Sequence, residues 1–462
     1  MSEQPPRAAA LACAVLASFI TPFMSSAINV ALPAIGREFT LSAFLLGWVA
    51  SSYLLAAAMA LVPFGKIADR YGRRRIFAAG MGVHTLFTLA CALAPSGPLL
   101  IAFRAAQGFG GAMMFATALA ILTSVYPPGE RGRAIGITAA STYLGLSLGP
   151  VLGGLLTQQL GWRSLFYATV PFGAAALVLI LWKLKGEWKS SGAGRFDIVG
   201  ALLYALALPS LMYGLSRLPG LGGVLFLAGG AAGLALFVFW ENRFRDPVLN
   251  LRLFRGNAVF AYSNLAALIN YSATFAVTFL LSLYLQYIKG FSPQTSGLIL
   301  VVQPAIMAAL SPAAGRLSDR WEPRTLASVG MLCAAAGLLL FAFLEAASSL
   351  WFLAAGLAVL GFGFALFSSP NTNAIMSAVD RQYYGVASAT LASMRLVGQM
   401  LSMGVALLVF TLFLGRAQVT PETHRQFLAA TRTAFAVFAV LCFAGVFASL
   451  ARGKRRQHSG AA

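Results

Sequence analysis

A chain of 462 residues could hold several soluble domains, but 59% of these residues are hydrophobic and 10% are charged, against roughly 45–50% and about 25% in globular proteins. That composition excludes a soluble protein. The net charge of +20 suggests a nucleic-acid binder only until its distribution is read, because the basic residues sit in short loops between apolar runs rather than on one face or tail.

Apolar runs long enough to cross the roughly 30 Å hydrocarbon core recur from end to end. Fourteen spans are predicted, near 10–35, 43–64, 76–95, 98–125, 133–158, 163–183, 197–216, 221–240, 257–287, 295–314, 325–345, 348–376, 384–414 and 429–451. The first run follows Arg7 and resembles a signal peptide at its start, but it continues to about Ile35. A usual apolar signal core is roughly 7–15 residues, so this is a retained helix. Cys13, Cys91, Cys333 and Cys442 each lie alone in an apolar run, as small buried hydrophobes with neither metal-site spacing nor a disulfide framework. No metal or cofactor is expected.

With the N-terminus taken as cytoplasmic, alternate loops carry Lys66 to Arg75, Arg131-Arg133, Lys183 to Arg195, Arg243 to Arg255 and Arg316 to Arg324, with Arg381 and the tail Arg452 to Arg456 on the same side. The opposite side holds only Arg37, Arg163, Arg217, Lys289, Arg416, Arg425 and Arg432. This bias puts both termini in the cytoplasm.

Several stretches depart from plain apolar sequence. Gly65-Lys-Ile-Ala-Asp69-Arg70-Tyr-Gly72-Arg73-Arg74 recurs 250 positions later from Gly315, and Gly108-Phe-Gly110 recurs 253 positions later as Gly361-Phe-Gly363. Two motifs at nearly one offset imply two homologous halves, and fourteen spans then leave two over. The natural extras lie in 197–240, bracketed by charged segments. The organisation predicted is 1–185, a six-helix bundle, then 186–256, a linker with two additional helices, then 257–462, a second six-helix bundle. Asp69 falls near the start of the third span, where a carboxylate can satisfy orphan N–H groups or meet an arginine.

Arg104 stands inside the fourth span with Gln107 three residues on, nearly on the same face. A guanidinium buried there costs roughly 2.5–3.5 kcal/mol on insertion scales; snorkelling to the outer surface is the alternative. In the fifth span Gly145, Gly149 and Gly153 are spaced by four, with Pro150 and Gly154 interposed. The glycines form a smooth ridge for close helix approach, and Pro150 bends the helix. An ordinary packing face would need the same glycines.

All thirteen acidic residues fall in loops or at span ends, whereas Arg104, Arg395 and His84 lie within spans. Polar Asn264, Asn270, Tyr271, Gln303, Asn371, Asn373 and Gln399 sit within the second half's spans, as interhelical hydrogen-bonding groups or as cavity lining. Gln303 precedes Pro304 and Asn371 follows Pro370, places where a helix break opens backbone toward a cavity. Met114 and Tyr143 are further candidates for an apolar pocket.

Four of these stretches carry a resemblance. Gly145 to Gly154 resembles the G-x-x-x-G-P-x-x-G-G signature of antiporters in the major facilitator superfamily, and Gly65 to Arg74 resembles that superfamily's cytoplasmic loop. Leu100 to Gly108 resembles the fourth-helix signature of proton-coupled members. Ser26 to Pro33 is similar to the first-helix signature L-D-x-T-x-x-N-V-A-L-P of the fourteen-helix drug/proton antiporter branch, with Asn29 to Pro33 matching and Met24 standing where that branch has its acid. The resemblance implies an all-α membrane protein of two pseudo-symmetric six-helix bundles plus two extra helices, with substrate bound between the bundles near the midplane. It further implies a bacterial-type cytoplasmic-membrane exporter of small amphiphilic molecules working by alternating access with a proton as co-ion. Asp69, Arg70 and Arg73 would form a latch, Arg104 and Gln107 would bear on coupling, and Met24 and Asn29 would face the substrate. A carrier of lipids or of anionic or neutral metabolites is the rival reading. A membrane-embedded enzyme finds no support in any H-E-x-x-H, paired intramembrane carboxylates or phosphate loop.

Overall fold

The computed structural model describes residues 7–127, 130–189, 196–380, 383–415 and 417–453, the side chain of Asp319 excepted. The expected positions Ser190 to Arg195, Arg381, Arg416 and the tail from Lys454 lie outside the described residues. Among the described residues, fourteen helices are long and apolar enough to span a membrane: α1 Arg7–Glu38, α2 Ala43–Tyr71, α3 Arg73–Ala92, α4 Gly97–Val125, α5 Arg131–Leu160, α6 Arg163–Trp182, α7 Ile198–Arg217, α8 Leu221–Glu241, α9 Ala258–Ile288, α10 Pro293–Ser318, α11 Pro323–Ala342, α12 Leu350–Ser377, α13 Tyr384–Leu414 and α14 Pro421–Leu450. Short polar residues start many of them. Ser42, Asp197, Asn257, Ser292 and Ser349 each accept a backbone N–H in the first turn of the helix that follows, which satisfies one of the orphan donors there. The helix α9 is interrupted by a turn before Val277 and ends in a π-helical turn, Tyr284–Ile288.

The internal repeat is visible as repeated backbone contacts. A Cβ added to Gly80 would lie 3.0 Å from the Gly110 carbonyl, and one added to Gly330 would lie 2.6 Å from the Gly363 carbonyl. Gly108 presses on the carbonyl of Tyr53 as Gly361 presses on that of Gln303, 250 residues further on. Gly145 meets the Phe19 carbonyl and Phe23 N–H; Gly398 meets the Leu268 carbonyl and Ser272 N–H. Each pair is a helix crossing that only glycine permits, so α1–α6 and α9–α14 are two copies of one packing scheme. The hairpin α7–α8 stands outside them, with Leu215 and Met212 against Gly404 of α13.

An even number of crossings among the described residues puts Arg7 and Leu450 on one side, the terminal side. The halves meet on the far side. There the Ser282 hydroxyl donates to the Asn29 carbonyl at 2.7 Å, Gln286 Nε2 to the Val30 carbonyl at 2.9 Å, and the Gln294 N–H to Gln158 Oε1 at 3.2 Å. Gln418 reaches the Thr40 carbonyl at 2.8 Å, and the Ala43 N–H the Ala417 carbonyl at 3.3 Å. On the terminal side, Gly132 and Gly136 of α5 and Gly385 of α13 face open space. The hydrogen bonds between the halves among the described residues thus gather on the far side, and a cleft between the halves is taken to open toward the terminal side.

The structure moves one boundary that matters. The second span was expected to end near residue 64, but α2 continues to Tyr71. Asp69 therefore sits in the last turn of α2 rather than at the start of α3.

Candidate functional site

Arg104 is 1% exposed, two turns inside α4, and does not reach the membrane surface. Its Nη1 donates to Gln107 Oε1 at 2.5 Å, and its guanidinium lies over the Tyr53 ring, 4.8 Å from the centroid. Gln107 Nε2 in turn donates to Thr88 Oγ1 at 2.6 Å, and Thr88 donates to the His84 carbonyl at 2.6 Å. The His84 ring stands edge-on to Tyr53 with centroids 6.3 Å apart. A cation sealed inside one bundle is thus held by a side-chain amide, an aromatic face and no carboxylate among the described residues. Tyr53 and Thr88 were missed in sequence. The only signal for Tyr53 was the glycine pair Gly108 and Gly111, both pressed against it, and Thr88 had none.

A second polar group lies in the second half. The Arg395 guanidinium of α13 lies 5.5 Å from the centre of the Tyr271 ring and donates to Thr372 Oγ1 at 3.2 Å. Tyr271 is edge-on to Phe364, with ring centroids 5.4 Å apart, and Tyr143 of the opposite half is half-buried. Counted from the terminal-side starts of α5, α9 and α13, these residues lie roughly 17–20 Å along their helices, about half-way across. Gln399, one turn beyond Arg395, and Gln303, whose Oε1 has no partner among the described residues, are half-buried.

Other expected lining residues are packed inside one half. Met24, standing where an acid was expected, is buried and accepts the Thr169 hydroxyl of α6 at 3.1 Å. Met114 is buried with Phe77 and Met81 between α3 and α4. Asn264 donates to its own helix at Phe260, and Asn270 accepts the Cys442 thiol of α14. All four are buried, with these partners inside their own bundle, while Asn264 Oδ1 and Asn270 Nδ2 have no partner among the described residues. Asn371 bonds the Ser263 carbonyl and Asn373 bonds Ser318, both across helices of the second half. The Asn29 side chain turns back to the Ser25 carbonyl, and it is the backbone of Asn29 that meets the other half.

The glycine helix serves two neighbours. Gly145, Gly149 and Gly153 lie against Phe19, Ser26 and Ala27 of α1, within the first half. The contact with the second half comes from Gly154, which would meet the Pro293 carbonyl, and from the Pro150 carbonyl, which abuts Gly297. The ridge of three glycines is thus a packing face inside one bundle, while Gly154 and Pro150 carry the crossing between bundles.

At the terminal end of α2, Asp69 Oδ1 receives Arg73 Nη2 at 2.9 Å, and Arg73 Nη1 extends to Ser124 Oγ at 2.9 Å on α4. Arg70 points outward over Tyr71. The orphan N–H groups of α3 are met by a residue that sequence reading missed. Glu187 Oε1 accepts the Arg74 N–H at 2.9 Å, and the Trp188 carbonyl accepts the Arg73 N–H at 3.0 Å. All of these contacts lie within the first half and the segment that leaves it.

Two repeated bundles of six helices, with a further two-helix hairpin beside them, define among the described residues a polytopic membrane protein of two homologous halves. The family model of the Major Facilitator Superfamily matches residues 14–264 and again 263–461, and the chain belongs to that superfamily. It is 36% identical over 404 residues to the multidrug resistance protein Stp of Mycobacterium tuberculosis, covering 86% of this chain and 74% of that one. It is 34% identical to the tetracenomycin C resistance and export protein of Streptomyces glaucescens, over 83% of this chain and 72% of that one. It is also 29% identical to the riboflavin transporter RibZ of Clostridioides difficile, over 93% of both. Among solved structures, a bacterial homolog of the human lysosomal transporter Spinster, inward-facing and unoccupied, superposes with a TM-score of 0.67 at 19% identity over 98% of both chains.

Proposed function

We propose that this transporter exports small amphiphilic molecules from the cytoplasm by alternating access, with a proton as co-ion. The relatives named for drug resistance and export support the direction and the class of cargo. The observation that carries the reading is that, among the described residues, the side-chain hydrogen bonds between the halves lie on the far side, while Arg395 stands over Tyr271 at mid-depth. With the basic loops on the terminal side, both termini are cytoplasmic in a bacterial-type inner membrane, and the conformation is inward-open. The units of rocking are 1–185 and 257–462, with 186–256 carried beside them. Asp69, Arg70 and Arg73 form the cytoplasmic latch, released here onto α4. Coupling falls to Arg104 and Gln107, with Asp69, His84 or the substrate itself carrying the proton.

The charge of the cleft favours a particular cargo. Arg395 has no carboxylate partner among the described residues, and the position where the related branch has an acid is Met24, turned toward α6. Neutral or anionic amphiphiles, lipids and metabolites included, are therefore preferred over permanent cations, since an ion in low dielectric requires an opposing charge. Flux measured in reconstituted vesicles, with pH gradient and voltage imposed separately, tests both parts. Export unaffected by either gradient removes proton coupling, and export of quaternary ammonium dyes alone removes the cargo assignment.

A further inference from the structure

The far side of the protein carries a cavity of about 430 Å³ that lies outside the cleft between the halves, within the roughly 300–1,000 Å³ range of small-molecule pockets. Phe44, Leu45 and Trp48 of α2, Ile101 of α4, and Tyr213 and Arg217 of α7 line it, so one wall is the first bundle and the other is the extra hairpin. Its rim lies among the far-side ends of three helices. Ser42 caps the start of α2, Pro98 lies in the first turn of α4 and Arg217 ends α7, and all three border the cavity. From Ser42 to Trp48 the wall runs six residues inward, roughly 9 Å, which is the headgroup boundary and the upper acyl region. Aromatic rings with one polar edge are the side chains that favour this depth.

Arg217 gives the cavity its chemistry. It is exposed at the mouth, stacked on Tyr213 with 5.0 Å to the ring centre, and has no ion pair among the described residues. Arg163, also on the far side, is by contrast paired to Glu38. An apolar slot at interfacial depth beneath a cation with no ion pair among the described residues fits a molecule with a phosphate at one end and hydrocarbon below.

We propose that this cavity is a phospholipid site that takes an anionic lipid of the far leaflet, its phosphate at Arg217 and its upper acyl chain against Trp48 and Ile101, joining the hairpin to the first bundle. A zwitterionic lipid brings an ammonium group into the same space and binds less well. The test uses the full-length protein in lipid nanodiscs containing phosphatidylglycerol or phosphatidylcholine brominated in the upper acyl chain. The Trp48 signal is isolated by subtracting the fluorescence of Trp48→Phe. Trp48 should be quenched several-fold more by the brominated phosphatidylglycerol at equal mole fraction. Arg217→Gln should remove that preference while leaving the quenching common to both lipids, and Arg217→Lys should restore part of it. Equal quenching in the wild type, or a preference that survives Arg217→Gln, overturns the proposal. So does displacement of the brominated lipid by a transported amphiphile at the concentration that half-saturates its export, which would make the cavity part of the substrate path. Because that last outcome leaves export itself intact, the lipid site and the transport reading fail separately.

Discussion

The Asn29 carbonyl accepts the Ser282 hydroxyl of the opposite half at 2.7 Å, and it is free to do so because Pro33, four residues on, has no N–H to fill it. A proline in α1 thus converts a helix carbonyl into an acceptor for the other bundle, and Gln286 adds a second bond at the adjacent Val30 carbonyl. Such bonds contribute about 1 kcal/mol each, or about fivefold in population. Ser282→Ala combined with Gln286→Leu should open the far side. Spin labels at Thr40 and Gln418, which bracket that side, should show a longer distance population than in the parent. An unchanged distance distribution would mean the far side is held by packing alone.

How much of this was legible in sequence depends on the range of the contact. The fourteen spans, the repeat and the buried place of Arg104 next to Gln107 follow from local pattern, because hydropathy and offset are properties of the chain itself. Met24 and Asn270 were read as cavity lining for their chemistry, yet both are turned into their own bundles. Which side of a wholly apolar helix faces a neighbour is fixed by packing and leaves no periodic trace in composition. Ser282, Tyr53 and Glu187 escaped for a related reason. Each matters through a backbone carbonyl, a ring face or an N–H group more than thirty residues away in sequence.

The glycine helix separates folding from gating. A leucine at Gly149 would collide with Ser26 and the Phe23 carbonyl inside the first half, and overpacking costs roughly 1–3 kcal/mol. Gly149→Leu should therefore lower the thermal stability of the purified protein as well as its transport. Gly297→Leu collides with the Pro150 carbonyl across the halves, and it should leave stability near the parent while blocking far-side closure. Thermal melts in detergent alongside export assays check the contrast. Equal destabilisation by both would show that the two faces of α5 are not separable.

The Arg104 chain predicts an asymmetry between its partners. Gln107→Leu removes the amide that receives Arg104 and leaves a buried guanidinium short of its strongest contact, at a cost of roughly 1.5–3 kcal/mol for a hydrogen bond to a charged group. Thr88→Val removes only a neutral link one step further out, worth about 1 kcal/mol. Export and melting temperature should fall in that order. A larger loss in Thr88→Val would place the critical contact at His84 rather than at Arg104.

Gly72 has φ +119° and no room for a side chain, since Glu187 packs directly against it. Gly72→Ala should therefore be strained in backbone and sterically at once, displacing Glu187 and uncovering the start of α3. The Arg75–Glu187 ion pair, 3.6 Å long with Arg75 72% exposed, contributes at most about 1 kcal/mol, so Arg75→Gln should change little. Limited proteolysis after Trp188 should increase in Gly72→Ala and not in Arg75→Gln. Equal protection in both variants would mean that the segment after α6 is held by something other than its cap on α3.

The cargo assignment turns on Arg395. Its guanidinium sits over Tyr271 and beside Thr372, so it is oriented by an aromatic face and a hydroxyl, with no ion pair among the described residues. An anionic amphiphile entering the cleft supplies that compensation, a neutral one adds no charge, and a quaternary ammonium adds a second positive charge at mid-depth. The opposing attraction is the aromatic surface of Tyr143, Tyr271 and Phe364, where a cation gains about 0.5–2 kcal/mol per ring. Arg395 already occupies one face of Tyr271, so the repulsive term is the larger. Competition binding should rank an anionic probe above its uncharged isostere and the isostere above its quaternary ammonium analogue, and Arg395→Gln should compress the ranking at least tenfold. If the ammonium analogue binds as tightly as the isostere in the parent, and Arg395→Gln leaves the ratio unchanged, the cleft selects by aromatic contact and not by charge.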